Sequence, residues 1–202
     1  ALMTLSHVAA VTSRVTLGTE VLVLPQRPPA LVAKQVSTLD TLSGGRVRLG
    51  VGLGWQESEY EALGEDFRTR GARMDEAIRL LRACWGETQI EFEGRHYRVR
   101  AMSMEPKPPQ GRRLPIWIGG NSEPAYRRMG RLGDGWLGGP SAKLDELAKP
   151  VRRFGRGLRG SVRKDDRELL AAVARDDVAV AGIRHELLDQ PLENLIADRV
   201  SE

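Results

Sequence analysis

PIWIGGNSEPAYRRMGRLGDGW, residues 115–136, decides how this chain is read. An apolar run, Ile116-Trp117-Ile118, ends in Gly119-Gly120-Asn121, a segment of helical period follows, and Gly133-Asp134-Gly135-Trp136 closes the stretch. A short apolar run bounded by glycine reads as a buried strand, and the longer amphipathic run as a helix. The double glycine therefore stands where a strand hands over to a helix. At such a point the first N–H groups of the helix lack partners and the positive end of its dipole faces outward. Two readings fit. In one, Gly119 and Gly120 let a phosphate approach the backbone while Asn121 and Ser122 cap the helix or donate to the anion. In the other, the pair is a turn that needs positive φ and holds nothing.

Outward from this stretch the same alternation repeats. Leu2, Leu5, Val8, Ala9 and Thr12 recur at helical spacing over residues 2–12. VTLGTEVLVLP, 15–25, is β-branched, apolar and closed by proline, so it predicts a buried strand. The segment 28–45 opens with prolines suited to a first helical turn and ends in Gly44-Gly45. RVRLGVGLG, 46–54, predicts a second strand, 55–66 starts acidic and turns helical, and 71–87 is an amphipathic helix. IEFEGRHYRV, 90–99, alternates as a pair of short strands around Glu93-Gly94, and a proline-rich loop over 104–113 leads into the opening stretch. Alternating strands and helices predict a parallel sheet with helical crossovers. Beyond residue 140 the pattern weakens to a helix over 142–157, a strand near 177–182 and a helical end.

Composition narrows the function classes. Apolar residues at 41% and charged residues at 29% describe an ordinary globular protein. No run approaches the ~18–20 apolar residues of a membrane span, and no secretory leader is visible, so no membrane partner is expected and a cytoplasmic location is the default. Cys84 is the single cysteine, and His7, His96 and His185 are never at ligand spacing, so no metal site is expected. The net charge of +4 comes largely from arginines interleaved with acids. That is a solvated-surface pattern, and a nucleic-acid partner is not expected.

The segments LGTEVLVLPQRPPALVAKQVSTLDTLSGGRVRLGVGLGW, RGARMDEAIRLL, FEGRHYRV, MEPKPPQ, LPIWIGGNSE and LGDGW, in this order, resemble the luciferase-like monooxygenase superfamily. Within it they are most similar to the oxidoreductases that use the deazaflavin coenzyme F420. The resemblance runs from residue 1 to about 140. It implies an α/β fold of the (β/α)8 TIM-barrel type with an insertion, here about 88–113, and a weakly matched continuation over 141–202. Mapped onto that barrel, the chain opens in the second helix. Strands one and two are then absent and the last strands uncertain, so the chain reads as truncated: a fragment, a shortened relative that closes differently, or a non-catalytic remnant. A full barrel usually takes about 250 residues.

The resemblance also implies a site. The cofactor phosphate would lie at Gly119, Gly120 and Asn121. A non-prolyl cis peptide and a bulge, by position at Glu20–Val21, would back the ring, and Leu53, Gly54 and Trp55 would line the pocket. Related deazaflavin dehydrogenases carry a catalytic Glu where Trp55 stands, so no catalytic residue is assigned. Glu57 and Glu59 could serve instead or simply favour the dipole of a first helical turn. Glu20 could face a ligand or reach solvent, and Arg27 could meet an anionic tail or lie solvated. Asp134 is expected to fix a turn, Trp117 and Trp136 to pack in the core or else to wall the cofactor pocket, and His96 to be structural. The expected activity is hydride transfer between F420 and a small-molecule substrate. FMN-dependent monooxygenation is the alternative, and a homodimer is the family habit.

Overall fold

A computed structural model describes residues 1–138; the helix and strand expected beyond 140 lie outside the described residues. Helix α1 (Leu2–Val11) leads into two short strands, β1 (Leu17–Gly18) and β2 (Leu22–Val23), and a single 3-10 turn over Leu24–Gln26. Helix α2 (Pro29–Ser43) carries the chain back to β3 (Val47–Gly52). Then come α3 (Glu57–Ala62), α4 (Arg70–Gly86), a hairpin of β4 (Ile90–Glu93) and β5 (Arg98–Met102), β6 (Ile116–Gly119), α5 (Glu123–Leu132) and β7 (Gly135–Leu137). The sheet order is β1-β3-β6-β7 with β2 also on β3, and every pair in it is parallel. The expected order of elements is thus present. One expectation is corrected: 15–25 is two short strands with an irregular link, because residues 19–21 leave the ladder.

Side-chain alternation divides the sheet. Leu17, Leu22, Val47, Leu49, Val51, Ile116 and Ile118 are buried in one apolar cluster with Val32, Ala33, Val36 and Leu39 of α2. Met74, Ala77, Ile78, Leu81 and Trp85 of α4 belong to the same cluster. Each Val, Leu, Ile or Met side chain among them contributes roughly 1.5–3 kcal/mol on burial, so this layer supplies most of the driving force. Trp85 Nε1 donates to the Ala33 carbonyl at 3.1 Å, which satisfies the indole inside the apolar layer and joins the two helices.

Polar ties fix where the elements begin and end. Gly44, at φ 68°, closes α2, and its successor Gly45 donates to Asp40 O at 2.8 Å, the left-handed helix stop expected from the sequence. The fully buried Asp40 carboxylate accepts from Val47 N–H at 3.2 Å and from Gln110 Nε2 at 2.8 Å. Arg46 donates to the carbonyls of Ala9 and Thr12 at 3.1 and 2.8 Å, satisfying the C-terminal end of α1. Lys107 does the same for α4, donating to Cys84 O at 2.9 Å and Glu87 O at 2.5 Å. Asp134 accepts from Ile116 N–H at 2.8 Å and pairs with Arg82, so it fixes the turn before β7 as expected.

The hairpin is held by one carboxylate. Glu76 on α4 accepts three backbone N–H groups, from Arg95 at 3.1 Å, His96 at 2.8 Å and Tyr97 at 3.3 Å. Burial alone would raise the Glu76 pKa, but these three donors outweigh it and hold the carboxyl below its ordinary 4.5. A depressed carboxylate contributes stability that is complete above the unfolded value and lost as pH falls through the folded one. Glu76→Gln should therefore be less stable than the parent at neutral pH. The gap between their urea midpoints should close as pH drops below 4.5. A gap that stays constant with pH would mean that the charge on Glu76 does not hold the hairpin.

Candidate cofactor site

Parallel pairing brings the C-terminal ends of β2, β3, β6 and β7 to one edge of the sheet. Val51 pairs with Ile118, Ile118 with Trp136 and Gly119 with Leu137. Between β1 and β2 the register slips. Gly18 pairs with Arg48 and Leu22 with Val51, so residues 19–21 span only 49 and 50 of β3. That extra residue is a bulge, and the Glu20–Val21 peptide inside it is cis. Both features stand where they were expected.

The bulge rests on glycines. Side chains at 50 and 52 of a strand leave on one face, and both positions are Gly. A Cβ on Gly50 would lie 1.9 Å from the Thr19 carbonyl oxygen and 2.6 Å from Leu137 Cδ1. A Cβ on Gly52 would lie 2.5 Å from Val21 Cγ2, and one on Gly119 would lie 2.7 Å from Val21 Cγ1. Buried Thr19 closes the arrangement by donating its hydroxyl to Gly50 O at 2.6 Å. Val21 therefore sits across two strands with 37% of its surface exposed, its methyl groups filling the space of two absent side chains.

After β3 the chain runs on through Leu53-Gly54-Trp55. Tyr60, fully buried on α3, donates its hydroxyl to Leu53 O and packs edge-on against Phe67 with ring centroids 5.3 Å apart. Burial raises the Tyr60 pKa, with Arg73 and Arg70 opposing, so the phenol stays a donor. Gly54 turns the chain at φ 70°, with Val23 Cγ1 only 3.0 Å from where its Cβ would lie. Trp55 projects outward, 84% exposed. Glu57 and Glu59 occupy the first turn of α3, as the dipole reading expects, and Glu59 accepts from Gln26 Nε2 at 3.1 Å.

At the end of β6, Gly120 has φ 124° and is exposed. Its N–H donates to Leu137 O at 3.3 Å and its carbonyl accepts from Trp136 Nε1 at 2.8 Å. Exposed Asn121 and Ser122 follow, and Ser122 caps α5 without a side-chain hydrogen bond to the helix. Glu20 is exposed, which both of its readings allow, because the bulge turns it out of the ladder. One sequence expectation changes in detail. Trp117 and Trp136 are half-buried rather than fully in the core, since the sheet face that carries Trp117 has glycines where a packed layer would need side chains. His7 is exposed and Cys84 buried.

The expected site residues thus divide among the bulge before β2 (Glu20, Val21), the segment after β3 (Leu53, Gly54, Trp55) and the end of β6 with the residue pair after it (Gly119, Gly120, Asn121). Sequence reasoning missed Thr19, Gly50, Gly52 and Tyr60. The glycines at 50, 52 and 54, at period two inside a strand, were the available signal. A separate open cavity of about 450 Å³ is lined by Glu91, Phe92, Glu93, Val99, Arg100 and Ala101 of the hairpin and contains none of these residues. Among the described residues no cluster of His, Cys, Asp or Glu is placed to hold a metal ion, and no helix is long and apolar enough to cross a membrane.

The family model described as luciferase-like monooxygenase matches residues 1–186. The chain belongs to this family. Its sheet and helices are accordingly part of a luciferase-like barrel of the TIM type, and the match extends past the motifs that end near 140. An F420-dependent glucose-6-phosphate dehydrogenase of Kineococcus radiotolerans is 39% identical over 141 residues, covering 68% of this chain and 41% of that protein. An FMNH(2)-dependent dimethylsulfone monooxygenase of Pseudomonas putida is 30% identical over 167 residues, covering 76% of this chain and 46% of that one. The crystal structure of monooxygenase RslO1 from Streptomyces bottropensis superposes with a TM-score of 0.72 at 25% identity, over 81% of this chain and 50% of that chain. The chain spans about half the length of the curated relatives it matches.

The glycine floor is testable without a ligand. Gly50→Ala forces a methyl group against the Thr19 carbonyl, a backbone atom that cannot swing away, and should cost about 3 kcal/mol or more. Gly52→Ala meets only the Val21 side chain and should cost about 1–3 kcal/mol. Adding Val21→Ala should recover much of the Gly52→Ala loss and none of the Gly50→Ala loss, as read from urea unfolding of the single and double variants. Simple additivity at both sites would contradict the packing described.

Proposed function

We propose that this chain carries the cofactor-binding edge of an oxidoreductase that transfers hydride between coenzyme F420 and a small organic substrate. One observation carries the reading. A bulge at residues 19–21, seated on Gly50, Gly52 and Gly119, holds an exposed Val21 against the end of β6, the strand that leads into α5. Family membership says which kinds of group such an edge serves. The F420 assignment is favoured over FMN by the higher identity to the F420-dependent relative, 39% against 30%.

The residues present fit a planar ring with a phosphorylated side arm. Val21 offers an apolar shelf for the ring, and Leu53, Gly54 and Trp55 border it. The phosphate would lie over Gly120, whose missing side chain gives access. Gly120's own N–H is engaged by Leu137 and Pro124 has no N–H, so the donors would be the Ser122 hydroxyl and the Ala125 amide in the first turn of α5. Gly119 has a packing reason of its own in Val21, and the phosphate role rests on Gly120 and the residues after it. The deazaflavin ring supplies the hydride chemistry at its carbon-5 centre. The protein's part is to bind, orient and keep water off one face. Trp55 cannot give or take a proton, so no side chain of the described site is assigned as acid or base.

The second reading, FMN-dependent monooxygenation, is favoured by the dimethylsulfone monooxygenase relative and by the likeness to RslO1. Fluorescence titration of the 202-residue chain with F420 and, separately, FMN tests both. Saturable F420 binding is expected. Gly120→Asp should weaken it by about tenfold or more, because a carboxylate would face the phosphate. Gly120→Ala, which carries the same backbone strain at φ 124° without the charge, should weaken it less. Preference for FMN would move the assignment to the monooxygenase side, and binding of neither by a folded chain would leave a non-catalytic remnant.

A further inference from the structure

Trp117 on β6 and Trp136 on β7 are both half-buried, and they are held in different ways. Trp117 carries the Arg48 guanidinium over its ring, 4.1 Å from the centroid. Trp136 instead uses its one polar atom. It pairs with Ile118, yet its indole leans forward along the strand and donates from Nε1 to the Gly120 carbonyl at 2.8 Å. The Tyr126 ring of α5 meets the indole with 6.0 Å between centroids. Gly138 leaves room for it, since a Cβ there would lie 2.6 Å from Trp136 Cη2.

The backbone ladder between β6 and β7 ends with Gly119 opposite Leu137 and with the Gly120 N–H on Leu137 O, 3.3 Å away. Beyond that rung the chain turns at φ 124°, an angle that only glycine takes easily. Glycine at such a point leaves the next peptide free to rotate. A peptide is planar with its C=O and N–H opposed, so tying one end fixes the whole unit. The Trp136 bond adds a side-chain rung where the backbone rungs stop, and it keeps the Gly120 oxygen on β7. The electrostatic consequence falls at the start of α5, which is close by: a Cβ on Gly120 would lie 3.2 Å from Ala125 Cβ. A carbonyl oxygen turned loose beside the Ser122 hydroxyl and the Ala125 amide would repel an anion that those donors attract.

We propose that Trp136 is a positioning residue for the phosphate turn: its indole N–H locks the Gly120–Asn121 peptide, so that the Gly120 oxygen stays on β7 and does not oppose the cofactor phosphate. The proposal rests on the cofactor reading given above and deepens it. It assigns part of the anion preference of that turn to a side chain on the neighbouring strand. In this role Trp136 acts through Gly120 and needs no contact with ring or phosphate. Its loss is felt by the phosphorylated arm and not by the ring.

The 202-residue chain, Trp136→Phe and Gly138→Ala are titrated with F420 and with the F420 fragment that keeps the ring and ends before the phosphate. Binding is followed by the deazaflavin's own fluorescence, and urea unfolding checks each variant. Trp136→Phe keeps an aromatic ring beside Tyr126 but loses the N–H donor, and should bind F420 about five- to tenfold more weakly. Its affinity for the fragment should equal the parent's. Gly138→Ala keeps the donor but displaces the indole from its far edge, and should lose severalfold on F420 alone. Should Trp136→Phe fail to fold, Gly138→Ala carries the test. Equal F420 affinity in parent and variants overturns the proposal. An equal loss on F420 and fragment also overturns it, because Trp136 would then support the fold at large. A parent that binds F420 no more tightly than the fragment overturns it too, while the ring reading stands. A parent that takes FMN rather than F420 moves the comparison to FMN and riboflavin. There a loss confined to FMN sustains the proposal and only the F420 assignment falls; any other pattern overturns both. A folded parent that binds none of the four overturns the oxidoreductase reading, and this proposal with it.

Discussion

The close approach of the Thr19–Val21 segment to Gly50, Gly52 and Gly119 is the contact on which the rest of this structure depends. A carbonyl oxygen 1.9 Å from the position of a Cβ leaves no residue but glycine at 50. With glycine there, the bulge can cross the sheet face, Thr19 can donate to Gly50 O, and Val21 can settle over two neighbouring strands. The chain's next turn, at Gly54, is set in turn by Val23 on one side and by the Tyr60 hydroxyl on Leu53 O on the other. Each site element is therefore positioned by backbone proximity rather than by a large side chain of its own.

Such an arrangement is affordable because stability comes from the other face. The apolar layer between the sheet and helices α2 and α4 is continuous, and Asp40 is satisfied there by Val47 and Gln110 and Trp85 by Ala33. Arg46, Lys107 and Asp134 tie element ends to neighbours at hydrogen-bond distance. The inner face, with its glycines, contributes little burial and retains exposed apolar surface at Val21 and Trp55. Division of labour between a packed outer layer and a sparsely built strand-end edge is the usual logic of barrel enzymes, in which stability and ligand contact lie on different parts of the strands.

Much of this was legible in the residues. Strand and helix order followed from periodicity because each segment is bounded by glycine or proline and the helices are amphipathic. The position of the cis bulge came from family resemblance to GTEV and not from any physical signal in those four residues. Its consequences for the ladder were not foreseen. An apolar β-branched run such as VTLGTEVLVLP looks the same whether its middle pairs or not. Glu20 was the one discordant residue, and its exposure is the sign that the middle does not pair. The glycine pair at 119 and 120 hid two different reasons behind one dipeptide. Gly119 makes room for a side chain of the same protein, and Gly120 adopts a backbone angle and an exposure that leave space for something else. Composition has no means of separating those cases, since both require only the absence of a Cβ. Long-range partners such as Tyr60 for Leu53, or Arg48 for Trp117, lie beyond local pattern altogether.

The nature of the shelf bears on why two cofactors occur among the relatives of one scaffold. A flavin and a deazaflavin differ within the ring at a single central atom, nitrogen in one and carbon in the other. Val21 presents methyl groups, and Gly52 and Gly119 beneath it present no side chain, so nothing in this contact donates to or accepts from that atom. A ring resting here, as proposed, would be held by area and shape rather than by hydrogen bonds. Discrimination must then arise at the side arm or on the ring's opposite face. On the reading proposed above the side arm would lie by Gly120, Ser122 and the first turn of α5, where a difference in charge and length would be felt through the helix dipole. Residues that alter the floor under Val21 would change the stability of both complexes together, whereas those that alter the start of α5 would change which cofactor is preferred.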